Sequence, residues 1–214
     1  MKNLLFILST ILLLSFSSCQ SILLRLGGFR EPQIESKASI FTFLQKLKQD
    51  TNDVYVLDTN LLKQLREESF KPGWPKSFRP IQIRVYDKQG KPVMQWASCE
   101  GFLKDLKTFD FVPPKNYNGL DTSRSLIRDL SRYSTLEGKP TDIKVPIGID
   151  YYILVYFGKY FPRMSHESFS QVDWYIRKHP ELSFKIYKIN VDYQEFWGVK
   201  CISEMNISLV GSKE

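Results

Sequence analysis

Residues 151–192 constrain what this chain can fold into more than any other part of it. Tyr151 to Gly158, YYILVYFG, is a near-continuous run of apolar, aromatic and β-branched side chains. That is the composition of a strand covered on both faces, since a strand with one wet side alternates. The period then changes. Phe169, Val172 and Ile176 fall on one face at helical spacing, Ser165 or Ser168 is placed to cap the helix, and Gln171 stands three residues after Ser168 as in a capping box. His179-Pro180 ends it, because a residue before proline avoids the helical region. Ser183 to Asp192 reads as a second strand. Two strands joined by one helix make a right-handed unit with the strands parallel, so the expected fold class is α/β. Trp197-Gly198-Val199 leads to a further strand over Met205 to Val210, where Met205, Ile207 and Leu209 alternate.

Leu154-Val155-Tyr156-Phe157, the helix after it, Asn190-Val191-Asp192 and Gly198-Val199-Lys200-Cys201-Ile202 resemble, in order and spacing, the landmarks of the thioredoxin fold. The resemblance implies a thioredoxin-like mixed sheet flanked by helices over residues 112–214, with residues 36–111 as an N-terminal α+β extension. It does not carry the family's chemistry. Counted from Phe157, the family's Cys-x-x-Cys falls on Pro162, Arg163, Met164 and Ser165, its buried acid on Tyr156 and its cis-proline on Ser203. The chain reaches Glu214 ahead of the family's last strand and helix, so a truncated or remodelled version is expected.

The first eighteen residues read as a secretion signal: Lys2 opens it, Leu4 to Leu14 is apolar, and Ser17 and Ser18 precede Cys19. The apolar run is shorter than the roughly 20 residues a permanent membrane helix needs. Phe16-Ser17-Ser18-Cys19 resembles the lipobox of bacterial lipoproteins, with Phe16 in place of the usual aliphatic residue. The resemblance implies that the Cys19 thiol is diacylglyceryl-modified, the leader removed and the new amine acylated, which gives stable anchoring where a single chain would not. The alternative is an ordinary cleaved signal with Cys19 a bystander. Gln20 and Ser21 follow in place of the aspartate of an inner-membrane retention signal, so a lipid-anchored protein of the outer membrane, facing the periplasm, is expected. Residues 19–35 hold Gly27, Gly28 and Pro32 and little periodicity, and read as a tether.

Between tether and βαβ unit, Ser36 or Ser39 caps a helix to about Asp50, Val54 to Leu57 is a short strand, and Asp58 caps a helix to about Ser69. Pro80 to Tyr86 and Val93 to Ser98 flank Asp87-Lys88-Gln89-Gly90-Lys91-Pro92 as a β-hairpin. Glu100 to Lys107 is a short helix and residues 113–119 are loop. Asp121 or Thr122 caps a helix to about Tyr133 with Leu126, Ile127 and Leu130 inward, and Leu136 to Ile149 is irregular.

With 43% hydrophobic and 14% aromatic residues the chain can build a core, and the net charge of +7 is spread without a run of five basic residues, which argues against nucleic-acid binding. His166 and His179 are the only histidines and there is no Cys-x-x-Cys, so no metal site of ordinary spacing and no cofactor is expected. Gly-rich phosphate loops and nucleophile elbows are absent, and no pair of carboxylates stands out for glycoside chemistry. Of the four tryptophans, Trp74 is the best candidate for an exposed platform, because Pro and Gly surround it.

Two functions remain: a non-catalytic envelope lipoprotein binding a protein or glycan partner, and a thiol-dependent redox or other envelope enzyme using Cys99 and Cys201. In an exported domain these two thiols are candidates for one disulfide, against the reading of two buried apolar thiols. Ligands of open α/β sheets gather beyond the carboxyl ends of parallel strands, which selects the loop Gly158 to Met164. Lys159, Tyr160, Phe161 and Arg163, sharing a surface with Ser203 and Glu204, are the candidate partner-binding residues. The bland alternative has Tyr160 and Phe161 filling space and the two cations solvated.

Overall fold

A computed structural model describes residues 30–57, 81–97 and 124–198. The expected helices over 58–69 and 100–107, the strand over 205–210, and Cys19, Trp74, Cys99, Cys201, Ser203 and Glu204 lie outside them. The described residues form a mixed α/β fold on a six-stranded sheet: β1 (Ile34–Glu35), α1 (Lys37–Lys46), β2 (Val54–Leu57), β3 (Gln82–Asp87), β4 (Pro92–Ala97), α2 (Leu126–Leu130), β5 (Tyr133–Ser134), β6 (Tyr151–Phe157), α3 (Pro162–Lys178), β7 (Phe184–Asn190) and β8 (Tyr193–Gln194). The strand order is β4-β3-β6-β7-β2-β5, with β1 and β8 pairing separately.

The 151–192 unit forms as its composition requires. β6 and β7 are parallel, in register from Tyr151 opposite Phe184 to Phe157 opposite Asn190. β6 is buried on both faces: Ile153, Val155 and Phe157 pack with α1 and α3, while Tyr152, Leu154 and Tyr156 join a second cluster with Leu57, Leu126 and Leu130. Each such aliphatic or Phe side chain contributes roughly 1.5–3 kcal/mol on burial. β2 adds to β7 in parallel and β3 to β6 antiparallel, with β4 completing the hairpin. Its turn needs glycine: Gly90 has φ +73°, and a Cβ there would meet Leu126 Cβ at 3.3 Å.

Three expectations are corrected. First, α3 starts at Pro162, before either serine proposed as its cap. Proline suits the first helical position because its φ is preset and its missing N–H is not needed there. Ser165 is instead one turn inside, its hydroxyl accepting from Gly158 N–H at 3.0 Å and donating to Gly158 C=O at 2.9 Å, which locks the strand-to-helix corner. Ser168 bonds back to Met164, and the buried amide of Gln171 has no hydrogen-bond partner, so no capping box forms. Second, α1 is capped by Ser36 as expected but stops at Lys46. Lys48 turns left-handed at φ 59°, and Lys48 N–H to Gln45 C=O with Gln49 N–H to Leu44 C=O closes the end as a Schellman motif. Third, the helix expected up to Tyr133 is only α2, capped by Ser125. Ile127 points out, 72% exposed, because Leu126, Asp129 and Leu130 take the inward positions.

Among the described residues no helix is long and apolar enough to cross a membrane, and no group of His, Cys, Asp and Glu could hold a metal ion.

Candidate functional site

The carboxyl end of the parallel pair, singled out by the topology, is built from Gly158 to Met164, β8 and the entering chain. Gly158 is required where the loop passes Asp192, since a Cβ would come within 3.0 Å of the carboxylate. Lys159 N–H donates to both Asp192 oxygens at 2.8 Å and Asn190 Nδ2 to one of them at 2.8 Å. Lys159 Nζ pairs with Glu35, whose carboxylate also accepts from Ser39 Oγ at 2.5 Å. Arg30 N–H donates to Tyr160 C=O at 2.9 Å, and β1 pairs in parallel with β8 through Ile34–Tyr193 and Glu35–Gln194. The segment entering the fold therefore lies across the place where a ligand was expected.

The candidate loop divides accordingly. Lys159 turns onto Glu35, Tyr160 donates its hydroxyl to Val191 C=O at 3.1 Å, and Phe161 packs tilted against Tyr160 with ring centroids 4.2 Å apart. Arg163 alone of the four faces solvent freely, its side chain 73% exposed and its Nε donating to Glu167 at 3.0 Å. Sequence reasoning missed Glu35, Ser39, Asn190 and Asp192 as members of this cluster. The run Asn190-Val191-Asp192 directly after an apolar strand was the available signal, since Asn and Asp hydrogen-bond nearby backbone.

Burial raises the Asp192 pKa to about 6 against the hydrogen bonds from Lys159 and Asn190, with the Glu35 charge adding to the rise. Burial, then the Asp192 charge, raises Tyr160 as well. A perturbed acid of this kind marks catalytic sites in general. Here Asp192 is 1% exposed and both oxygens are engaged by donors, which leaves no approach for a substrate.

A second polar cluster lies among Tyr86, Tyr133 and Tyr156 of the second core cluster. Arg84, 3% exposed, donates to Asp129 at 2.7 Å, Tyr86 hydroxyl donates to the same oxygen, and Arg124 reaches the other at 3.3 Å. The Arg84 guanidinium lies 5.0 Å from the Tyr156 ring centroid, and Tyr156 and Tyr133 hydroxyls are 2.5 Å apart. Burial first, then neighbouring charge, raises Tyr86 and Tyr133, so these phenols stay neutral donors. The cluster joins β3, α2, β5 and β6, with the one carboxylate of Asp129 shared between Arg84 and Arg124.

The open concavity is elsewhere, at the amino end of β6. A cleft of about 520 Å³ lies between the hairpin turn, α2 and residues 145–150. Ile127 and Ile147, 72% and 100% exposed, line it together with Lys88. Comparison with protein-family models, with curated proteins and with solved structures finds no match for the chain.

Proposed function

We propose that this chain is a lipid-anchored, non-catalytic binding module of a bacterial cell envelope, held by Cys19 in the outer membrane, facing the periplasm and capturing a protein or glycan partner. One observation carries the non-catalytic reading. The carboxyl end of β6 and β7, where open α/β sheets assemble their reactive groups, is filled by the chain's own entering segment, with Glu35 on Lys159 and the Asp192 carboxylate on Lys159 N–H. The exposed face of α3 supports a binding role. Arg163, Glu167, Trp174 and Lys178 recur along one stripe at helical spacing, Trp174 is 37% exposed, and Lys178 Nζ lies 6.0 Å from its ring centroid. Trp and Arg are the residues that dominate protein interfaces.

The finer fold reading, a remodelled thioredoxin-like sheet, belongs to the same proposal. Pro162 to Ser165, which stand where that family carries its cysteines, form the first turn of the helix following the central strand. The antiparallel neighbour of β6 is β3, which precedes the βαβ unit in the chain.

The test uses the native envelope. A photo-crosslinker at Arg163 should yield one discrete adduct, identified by mass spectrometry, and the pair Arg163→Ala and Trp174→Ala should abolish capture with the melting temperature within a few degrees of the parent. Cys19→Ser should release the protein from the membrane fraction and change its mobility. Thiol-dependent insulin reduction by the purified chain would defeat the non-catalytic reading.

A further inference from the structure

The segment that enters the fold, residues 30–35, covers a buried acid with few bonds of its own. Arg30 N–H donates to Tyr160 C=O at 2.9 Å, β1 pairs with Tyr193 and Gln194 directly after Asp192, and Glu35 joins Lys159 Nζ and Ser39 Oγ. None of residues 30–35 belongs to either apolar core cluster, and of them only Glu35 is buried. The next residue marks a boundary. Ser36 caps α1 with its own hydroxyl, and Ile40 and Leu44 of that helix are 0% exposed. Lifting the segment therefore uncovers little apolar surface and stops at Ser36.

The groups around Asp192 divide into those that stay and those that leave. Its oxygens accept from Lys159 N–H, in the loop after β6, and from Asn190 Nδ2, at the end of β7. These donors favour the ionised carboxylate, and they remain in place when the segment lifts. What residues 30–35 bring has the opposite sense: they lie over a carboxylate that is 1% exposed, and they set the Glu35 charge near it. Both effects favour the neutral acid. The other ionisable groups of this corner, beyond Arg30 and Glu31 of the segment itself, are Lys159 and Tyr160 from the loop, Tyr193 from β8, and Arg163, His166 and Glu167 from the start of α3. Lys159 is engaged by Glu35 and Arg163 by Glu167, and burial raises Tyr160 and Tyr193, which stay neutral. His166 is exposed.

We infer that residues 30–35 form a proton-sensitive strap, closed over Asp192 while that carboxyl is neutral and released from β8 when it ionises. Burial first, and the Glu35 charge with it, raises Asp192 to about 6 in the closed state, so closure holds the proton more tightly than release does. Closure is complete below that value and is lost as pH rises through it. Release leaves Lys159 N–H and Asn190 on Asp192, so it frees no reactive acid. Where Cys19 carries lipid, release adds residues 30–35 to the tether, up to about 20 Å of reach. That consequence rests on the proposed anchor; the strap does not.

The experiment is hydrogen-exchange mass spectrometry on the full chain carrying Cys19→Ser at pH 5 and pH 7, with rates corrected for the intrinsic pH dependence of amide exchange. Protection at residues 30–35 and 193–194 should lie below that of β6 and β7 and fall about tenfold between the two pH values, the factor set by an acid of pKa about 6 that opening lets ionise. Asp192→Asn should abolish the step, Glu35→Gln should shrink it, and His166→Gln should leave it intact. Protection that is unchanged or rises from pH 5 to pH 7 in the parent chain would overturn the inference, and that measurement needs no variant to fold. So would residues 30–35 protected as strongly as β6 and β7, which means opening only by global unfolding, a step that persists in Asp192→Asn, or one that vanishes in His166→Gln. Membrane release by Cys19→Ser is scored separately, so failure of the anchor and failure of the strap are told apart.

Discussion

Asp129 accepts from two guanidiniums and a phenol in a place where its side chain is 1% exposed. Removing its charge takes an ion-pair partner from the buried guanidinium of Arg84, so Asp129→Asn is expected to cost about 3–5 kcal/mol in urea denaturation. A cost under about 1 kcal/mol would mean that the Asp129 carboxylate is not what holds these cations in the interior. Asp192 predicts a pH dependence of opposite sense to the usual carboxylate. Its folded pKa, about 6, stands above the ordinary aspartate value of 3.8, so the fold binds its proton more tightly than the unfolded chain does. Its contribution to stability is present below the unfolded value and is lost as pH rises through about 6. The Asp192→Asn variant should therefore gain stability relative to the parent as pH rises from 4.5 to 7, measured as the difference in denaturation midpoint. A variant-minus-parent midpoint that falls over that range would refute the assignment. Asp192 was legible only as part of the Asn190-Val191-Asp192 run, and Asp129 not at all. Asp129 sits in a stretch that reads as an ordinary amphipathic helix, and burial of an acid depends on what the other strands bring to it.

At the level of elements, β1 is held by few bonds: two residues of parallel pairing, Arg30 N–H on Tyr160, and Glu35 on Lys159. Such short peripheral pairings open before the core does. Glu35→Gln should accelerate amide exchange severalfold at residues 30–35 and 193–194 while leaving the β6 and β7 amides unchanged, read by hydrogen-exchange mass spectrometry. The end of α1 offers a second measurement. Lys48 holds the left-handed position that glycine normally takes, so Lys48→Gly should raise stability by about 0.5–1 kcal/mol. The elements themselves were largely readable. β2, the hairpin, β6, α3 and β7 fall where period and turn residues place them, because strand and helix periodicities are local. The ends were not. Pro162 displaced the proposed serine cap, and the Schellman closure at Lys48 arises from backbone bonds that no side-chain pattern announces.

Taken whole, the molecule places the entering chain and the open cleft at opposite ends of β6. The chain enters at Tyr160, beyond the carboxyl end of that strand, and the cleft lies at its amino end beside Tyr152. Seven residues of strand put the two roughly 20 Å apart. Under the proposed lipid anchor at Cys19, the cleft is expected on the side away from the membrane. On vesicles holding the acylated protein with Cys99 and Cys201 replaced by Ser, a fluorophore at Arg163→Cys should be quenched by chain-brominated lipid more strongly than one at Ile147→Cys. Equal or reversed quenching would contradict this orientation. The sequence by itself determined that an apolar strand, an amphipathic helix and a second strand follow one another from Tyr151 to Asn190, since period and composition dictate which faces need cover. It also carried the hairpin at Gly90. Only the tertiary structure decided that the hairpin pairs with β6, that Glu35 closes over Lys159, that Asp129 meets Arg84, and that Ile127 and Ile147 remain in water. These depend on partners distant in the chain, and a period of two or of 3.6 tells which face must be buried but not what will bury it.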